Sequence, residues 1–303
     1  MLEKLKKIIS FSRQTQGEHC VPFLFLNKLL VFIGNSNLYL AFAAFCFTAQ
    51  GSFIFYNSKE SFFLFAIVNF NSAFILYNIQ RIFQSFNLKN DERLQWFKEN
   101  RKYIYLIIIV LGLAFSKLIY TTFIIYKQSI IIYGISGLLS ILYFLPPFEL
   151  RKFVFLKIFI IAFIWVIVCI MIPCMFEGEI FRGFENFNDN KWFYLSAQFC
   201  FIAAICIPFD IRDVEKDRIS NVGSLPVLIG IKNSKIFSGL LLLAYLILSI
   251  LNDEKNHILI PIVIAIMSII IVVFSEPDHH KYYFTYFADG LIILQAILYF
   301  LLT

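Results

Sequence analysis

Apolar runs about twenty residues long recur from one end of the chain to the other, separated by short charged stretches, and this repetition limits the fold more than any other feature. A run of that length crosses the hydrocarbon core of a bilayer as a helix. Only helices and closed barrels cross it at all, because every backbone amide must find its partner without water. Composition agrees: of 303 residues, 60% are hydrophobic, 18% aromatic and only 15% charged, far from the balance of a soluble domain. The chain therefore reads as an all-α polytopic membrane protein, a single domain over 1–303 with no separate soluble part. The formal charge of +6 is then no nucleic-acid signal, since Lys and Arg gathered in the loops of one membrane face account for it.

Residues 1–36 read as a cytoplasmic or interfacial N-terminal segment. Its first part is polar and basic, without the apolar region and cleavage site of a signal peptide. The apolar stretch from Val21 to Gly34 is short and carries Lys28, which suits a helix lying at the interface. Nine spans are then predicted: 38–56, 61–83, 103–120, 129–145, 153–176, 192–209, 236–251, 258–274 and 282–302. A long polar connection, 84–102, separates the second and third. Basic residues concentrate at the N terminus and after spans two, four and six, which all lie on one side. The positive-inside rule makes that side cytoplasmic. The expected setting is a bacterial inner (cytoplasmic) membrane, with lipid as surroundings, no nucleic acid and no protein partner. The six cysteines have no paired metal-type spacing and read as small core hydrophobes.

The stretch from Pro208 to Pro226 interrupts this apolar pattern. Asp210, Asp213 and Asp217 fall at i, i+3 and i+7, which on a continuous helix is one face. Three stacked carboxylates repel unless something positive sits among them, and magnesium, which binds carboxylates and phosphate oxygens together, is the usual answer. Arg212, Lys216 and Arg218 lie between the acids and suit phosphate oxygens. The same residues also suit a solvated mixed-charge loop, and spacing alone leaves both readings open.

Polar groups at membrane depth are costly, so each is a candidate for function. The second span holds Asn69, Asn71, Asn78, Gln80 and Arg81. They read either as a polar cavity wall facing the aspartates or as interhelical hydrogen bonding, with Arg81 snorkelling to the interface. Asp289 in the ninth span is expected to face the bundle interior and to help position a cavity Lys or Arg. Lys157, near the start of the fifth, either reaches the same cavity or snorkels. Gln198 and Gln295 read as helix contacts, and His279 and His280 as a solvated loop.

The segment Asp210-Ile-Arg-Asp-Val-Glu-Lys-Asp-Arg-Ile-Ser-Asn-Val-Gly-Ser-Leu-Pro-Val-Leu-Ile-Gly230 resembles the second aspartate motif of the UbiA superfamily of intramembrane prenyltransferases. Asp213 and Asp217 match its D-x-x-x-D, and Ser224-Leu-Pro226 with Gly230 match its tail. The segment Leu142-Tyr-Phe-Leu-Pro-Pro, then Leu150-Arg-Lys and Lys157, resembles the family's loop after helix four. The resemblance implies nine helices in a UbiA-like bundle and a prenyl group moved from a prenyl diphosphate to an aromatic or other lipophilic acceptor, with Mg2+ as cofactor. It implies metal ligands at Asp210, Asp213 and Asp217, and catalytic roles for Asp213, Asp217, Arg81 and Lys157. Substrate contacts are implied at Asn71, Asn78, Arg81, Arg212, Lys216, Tyr143 and Asp289. The family's first acidic motif has no carboxylate here: Tyr77-Asn-Ile-Gln-Arg-Ile-Phe-Gln-Ser85 stands in its place, with Asn78 and Arg81 where acids are expected. That departure keeps two alternatives open, a terpene cyclase of UbiA type and a non-catalytic protein that binds lipid or a phosphorylated ligand.

Overall fold

Each of the nine apolar runs is helical over most of its described residues in the structure, a computed structural model that describes residues 21–51, 59–87, 92–146, 148–177, 180–220, 222–252 and 258–302. The basic segment expected at the N terminus falls on 1–20, and the polar turns expected near 57–60 and 252–256 fall largely on 52–58 and 253–257. These stretches lie outside the described residues.

Helices α1 (Val21–Asn35) and α2 (Leu38–Ala49) meet at a bend of 66°. The stretch expected as an interfacial helix forms α1, the first limb of this pair. The bend falls at Asn37, whose φ of 64° is left-handed, a conformation Asn tolerates better than most residues. Then come α3 (Lys59–Asn87), α4 (Glu92–Ile125), α5 (Ser129–Phe144) and α6 (Val154–Val166). Helix α6 runs on through a π turn, Ile167–Met171, to Ile172–Cys174. Helices α7 (Asp189–Arg212), α8 (Val214–Ile219), α9 (Leu225–Leu251) and α10 (Leu259–Val273) follow. The last, α11 (Asp289–Leu302), is led in by Lys281–Tyr283 and a second π turn, Phe284–Ala288. Among the described residues, six helices are long and apolar enough to cross a membrane, the bent pair makes a seventh, and α5 and α10 are shorter apolar helices. An antiparallel pair, β1 (Phe176–Glu177) with β2 (Ile180–Phe181), lies between α6 and α7.

The expected polar connection at 84–102 is largely helical, because α3 and α4 run on beyond their apolar parts. Hydropathy marks where lipid ends, whereas a helix continues into water as long as its side chains are solvated there. Lys98, Glu99 and Arg101 on this extension are exposed. Helix α9 likewise begins well before the predicted 236, with Pro226 in its first turn, where a missing N–H costs nothing. It bends at Gly230, whose φ of 80° needs glycine.

Helix α7 is the axis of the bundle: 61% of its apolar window is buried, against 6% for the peripheral α4. Ala197, Ala203 and Ala204 on α7 are fully buried, and small residues let neighbouring backbones approach closely where lipid supplies no hydrophobic drive. Pro208 deprives the Ala204 carbonyl of its helical donor. The Ser238 hydroxyl of α9 donates to that carbonyl at 3.0 Å instead. The π turn of α6 is met in the same way, with Asn69 Nδ2 donating to Val168 O at 3.0 Å and to Thr48 Oγ1 at 2.9 Å. Asn69 is thus an interhelical tie.

Candidate active site

The aspartate stretch is not one helix. Helix α7 ends at Arg212, Asp213 has φ −92° and ψ 7°, and α8 starts at Val214. A break inside the i, i+3, i+7 series separates side chains that a continuous helix would stack. Asp213 turns to its neighbour: Arg212 Nε and Nη2 donate to its two carboxylate oxygens at 2.9 and 2.7 Å. The guanidinium also lies over the rings of Phe209 and Phe284, 5.2 and 5.7 Å from their centroids, so it is held from two sides. Burial opposes ionisation of Asp213, but the Arg212 charge and hydrogen bonds outweigh it and hold the carboxyl below the usual carboxylate range.

Asp210 and Asp217 do come together, around Lys157. The Lys157 ammonium lies 2.7 Å from Asp210 Oδ1 and 3.0 Å from Asp217 Oδ2. All three side chains are largely buried, with 15%, 4% and 12% of their surface exposed. The positive group among the carboxylates is therefore a lysine at the start of α6. Backbone bonds fix this meeting. The Val222 N–H donates to Asp217 O at 2.8 Å, and the Gly223 N–H donates to Lys152 O at 3.1 Å. The loop leading into α6 is thereby stitched to the loop leaving α8, and these are the two segments that carried the sequence resemblance.

Other candidates lie elsewhere. Asn78 is fully buried and donates to Ser36 O at 3.1 Å and Phe74 O at 2.7 Å, while Asn37 Nδ2 donates to Asn78 Oδ1 at 3.2 Å. Arg81 Nε and Nη2 donate to Asn37 Oδ1 at 3.2 and 3.0 Å. Asn37, Asn78 and Arg81 thus brace the bend between α1 and α2. Asn71 donates to the Ile67 carbonyl of its own helix at 2.9 Å. Trp165 Nε1 donates to the Tyr77 hydroxyl at 3.2 Å, which ties the depth of α3 to that of α6. Arg81, one turn beyond Tyr77, and Lys157, two turns before Trp165, therefore lie toward the same end of the bundle. Tyr143 stands within electrostatic range of Asp210 and Arg151. Asp289 is buried just after the π turn, within range of Tyr39 and Tyr77. Lys216 is exposed on α8.

Two features escaped sequence reasoning. Arg151 Nε is buried without a hydrogen-bond partner, close to Tyr143, in a segment that carried part of the resemblance but in which Arg151 was given no role. Asn37 falls between the N-terminal segment and the first predicted span, and only its left-handed backbone reveals why an Asn stands there.

Among the described residues, no group of three or more His, Cys, Asp or Glu side chains could hold a metal ion. Asp210 and Asp217 nevertheless converge on one cation, and Asp210 Oδ2 is buried with no partner. One or two carboxylates completed by water and substrate phosphate is the donor set magnesium takes in phosphate-handling sites. The pair fits one such ion, whereas both oxygens of Asp213 are held by Arg212.

The profile of the UbiA prenyltransferase family matches residues 99–287, more than half of the chain. No curated protein matches. A solved structure from work on digeranylgeranylglyceryl phosphate synthase in membranes is 18% identical, with 90% of this chain and 98% of that one covered and a TM-score of 0.49. Those values are too low for the likeness to bear on the site.

Proposed function

The chain belongs to the UbiA prenyltransferase family, and from that premise we propose that it transfers a prenyl group from a prenyl diphosphate to an aromatic or other lipophilic acceptor within the membrane. The observation that carries this reading is the buried Asp210–Lys157–Asp217 cluster, with an unpartnered carboxylate oxygen, at one end of an otherwise apolar bundle. Buried polar atoms without partners are rare in native proteins and call for a ligand or water.

In this reading the diphosphate lies against Lys157, with the Arg151 guanidinium close by and Arg81 approaching from α3. The C–O bond between prenyl carbon and diphosphate breaks, the electron pair leaves with the diphosphate, and an allylic cation remains. The acceptor's electron pair closes the new bond and its proton is lost. Lys157, on a flexible stem, follows the charge that grows on the departing oxygen, the kind of electrostatic help worth most where water is excluded. Magnesium held by Asp210 and Asp217 would supply further neutralisation of the same oxygens. Arg212 and Asp213 hold each other and shape the turn between α7 and α8. Lys216 faces outward and suits a first encounter with the anionic substrate.

The Asn37–Asn78–Arg81 brace, standing where the family carries its first acidic set, favours a second reading in which the protein binds a prenyl diphosphate without turning it over. Diphosphate release separates the two. Purified protein in lipid is given geranyl, farnesyl or geranylgeranyl diphosphate, with and without magnesium, then with aromatic acceptors. Magnesium-dependent release that rises with an acceptor is the transferase outcome. Release without acceptor indicates cyclisation or hydrolysis, and saturable binding without release indicates the binding protein.

A further inference from the structure

We propose that Lys157 keeps the cation position of this site closed until a diphosphate draws its ammonium away, so that divalent metal and prenyl diphosphate bind only together. This rests on the reading of the site as one for a prenyl diphosphate.

The geometry is that of two carboxylates sharing one cation. Asp210 comes from the end of α7 and Asp217 from α8, and the break at Asp213 brings both to a single ammonium, at 2.7 and 3.0 Å. A metal that took the two oxygens Lys157 now contacts would need the position Nζ holds, since magnesium–oxygen distances are about 2.0–2.1 Å and leave no room for a second cation between them. Ammonium and metal are mutually exclusive there.

The charges decide when the exchange happens. Two carboxylates and one ammonium leave a single negative charge, with Asp210 Oδ2 unpartnered. If a metal enters alone, it evicts a buried ammonium, and the other carboxylate within its range, Asp213, is already paired with Arg212; an uncompensated buried charge is strongly unfavourable. If a diphosphate enters with the metal, the displaced ammonium pairs with a phosphate oxygen while the metal takes the carboxylates. Each ligand removes the obstacle to the other, which is positive coupling and is reciprocal. The arrangement also means that the resting site needs no metal to keep Asp210 and Asp217 together.

The test reads metal binding directly. Full-length protein in nanodiscs is titrated with Mn2+, and free ion is followed by electron paramagnetic resonance. Inorganic pyrophosphate serves as the diphosphate, and empty nanodiscs correct for its own complex with Mn2+. Wild-type protein alone is expected to bind Mn2+ weakly, and about tenfold more tightly with pyrophosphate. Lys157→Gln alone is expected to bind Mn2+ about tenfold more tightly than wild type alone. Lys157→Arg, which keeps a cation in place, should resemble wild type, and Lys157→Gln with Asp217→Asn should lose the gain. Equal Mn2+ affinity of wild type and Lys157→Gln in the absence of pyrophosphate overturns the proposal, whether both are tight or both negligible. Should Lys157→Gln fail to fold, the wild-type arm still decides: tight Mn2+ binding without pyrophosphate, or no gain from it, overturns the proposal. A protein that binds Mn2+ and pyrophosphate together but releases no diphosphate from any prenyl diphosphate would overturn the transferase reading and leave this coupling standing.

Discussion

Replacing Lys157 by methionine keeps the unbranched stem as far as Cε and removes the ammonium, so it isolates what the charge contributes. The side chain makes two contacts to buried carboxylates, at 2.7 and 3.0 Å. Hydrogen bonds to charged groups contribute about 1.5–3 kcal/mol each, and removing one partner of a buried ion pair costs about 3–5 kcal/mol. The two routes agree on a loss of about 3–5 kcal/mol for Lys157→Met, since Asp210 and Asp217 are left facing each other without a counter-charge. Unfolding in mild detergent, at neutral pH and without divalent metal, measures it. Adding Asp210→Asn to Lys157→Met should recover about half of the loss, because a single remaining carboxylate no longer faces another. A loss below about 1 kcal/mol would refute the reasoning, for that is the worth of a solvated pair. Lys157 would then be snorkelling.

Three further substitutions probe the surroundings. Asn78→Leu removes two hydrogen bonds from the brace at the α1–α2 bend and a third to the Phe74 carbonyl of its own helix, and at about 0.6 to 1.7 kcal/mol each it should lower stability by about 2–5 kcal/mol in the same unfolding assay. Unchanged stability with lost binding of prenyl diphosphate would instead make Asn78 a substrate contact. Asp213 has a folded pKa depressed below its ordinary 3.8, so its contribution is complete above that value and is lost as pH falls through the lower folded value. Wild type should exceed Asp213→Asn by about 1–2 kcal/mol at neutral pH, and the margin should close only in that acidic window. A margin that does not change with pH would dissolve the Arg212–Asp213 account. Gly51→Ala places a methyl 2.1 Å from the ring of Phe62, which is fully buried and cannot yield. Overpacking of that kind costs about 1–3 kcal/mol, and a neutral result in thermal unfolding would mean that the chain just beyond α2 shifts freely.

The apolar runs were legible because hydrocarbon thickness imposes a length on them, and every predicted run is helical over most of its described residues. Helix ends were less legible, as α4 shows: its charged first turns carry no apolar signal, yet they continue the helix. At the site, the series Asp210, Asp213, Asp217 marked a stretch of which two members meet at Lys157, but its face could be read only by assuming an unbroken helix. The break at Asp213 depends on a competing partner, Arg212, that spacing does not weigh. Lys157 could be read as snorkelling or as cavity-facing, since its partner Asp217 lies 60 residues away in sequence. Asn69 and Asn78 read equally well as cavity wall or as helix ties. Tertiary contacts decide for ties at both, one at a π turn and the other at a left-handed bend. Neither deformation has a sequence signal of its own.

On the proposed reading, the diphosphate leaves at the Asp210–Lys157–Asp217 cluster. The most direct test of that reading is diphosphate release by wild type and Asp217→Asn, side by side in the same lipid with magnesium, a prenyl diphosphate and an aromatic acceptor. Asp217→Asn retains a carbonyl oxygen for Lys157 and leaves it one carboxylate, so the fold should persist with little change in melting. The account predicts release by wild type and a fall of about two orders of magnitude or more in the variant. Equal rates from two equally well-folded proteins would contradict it.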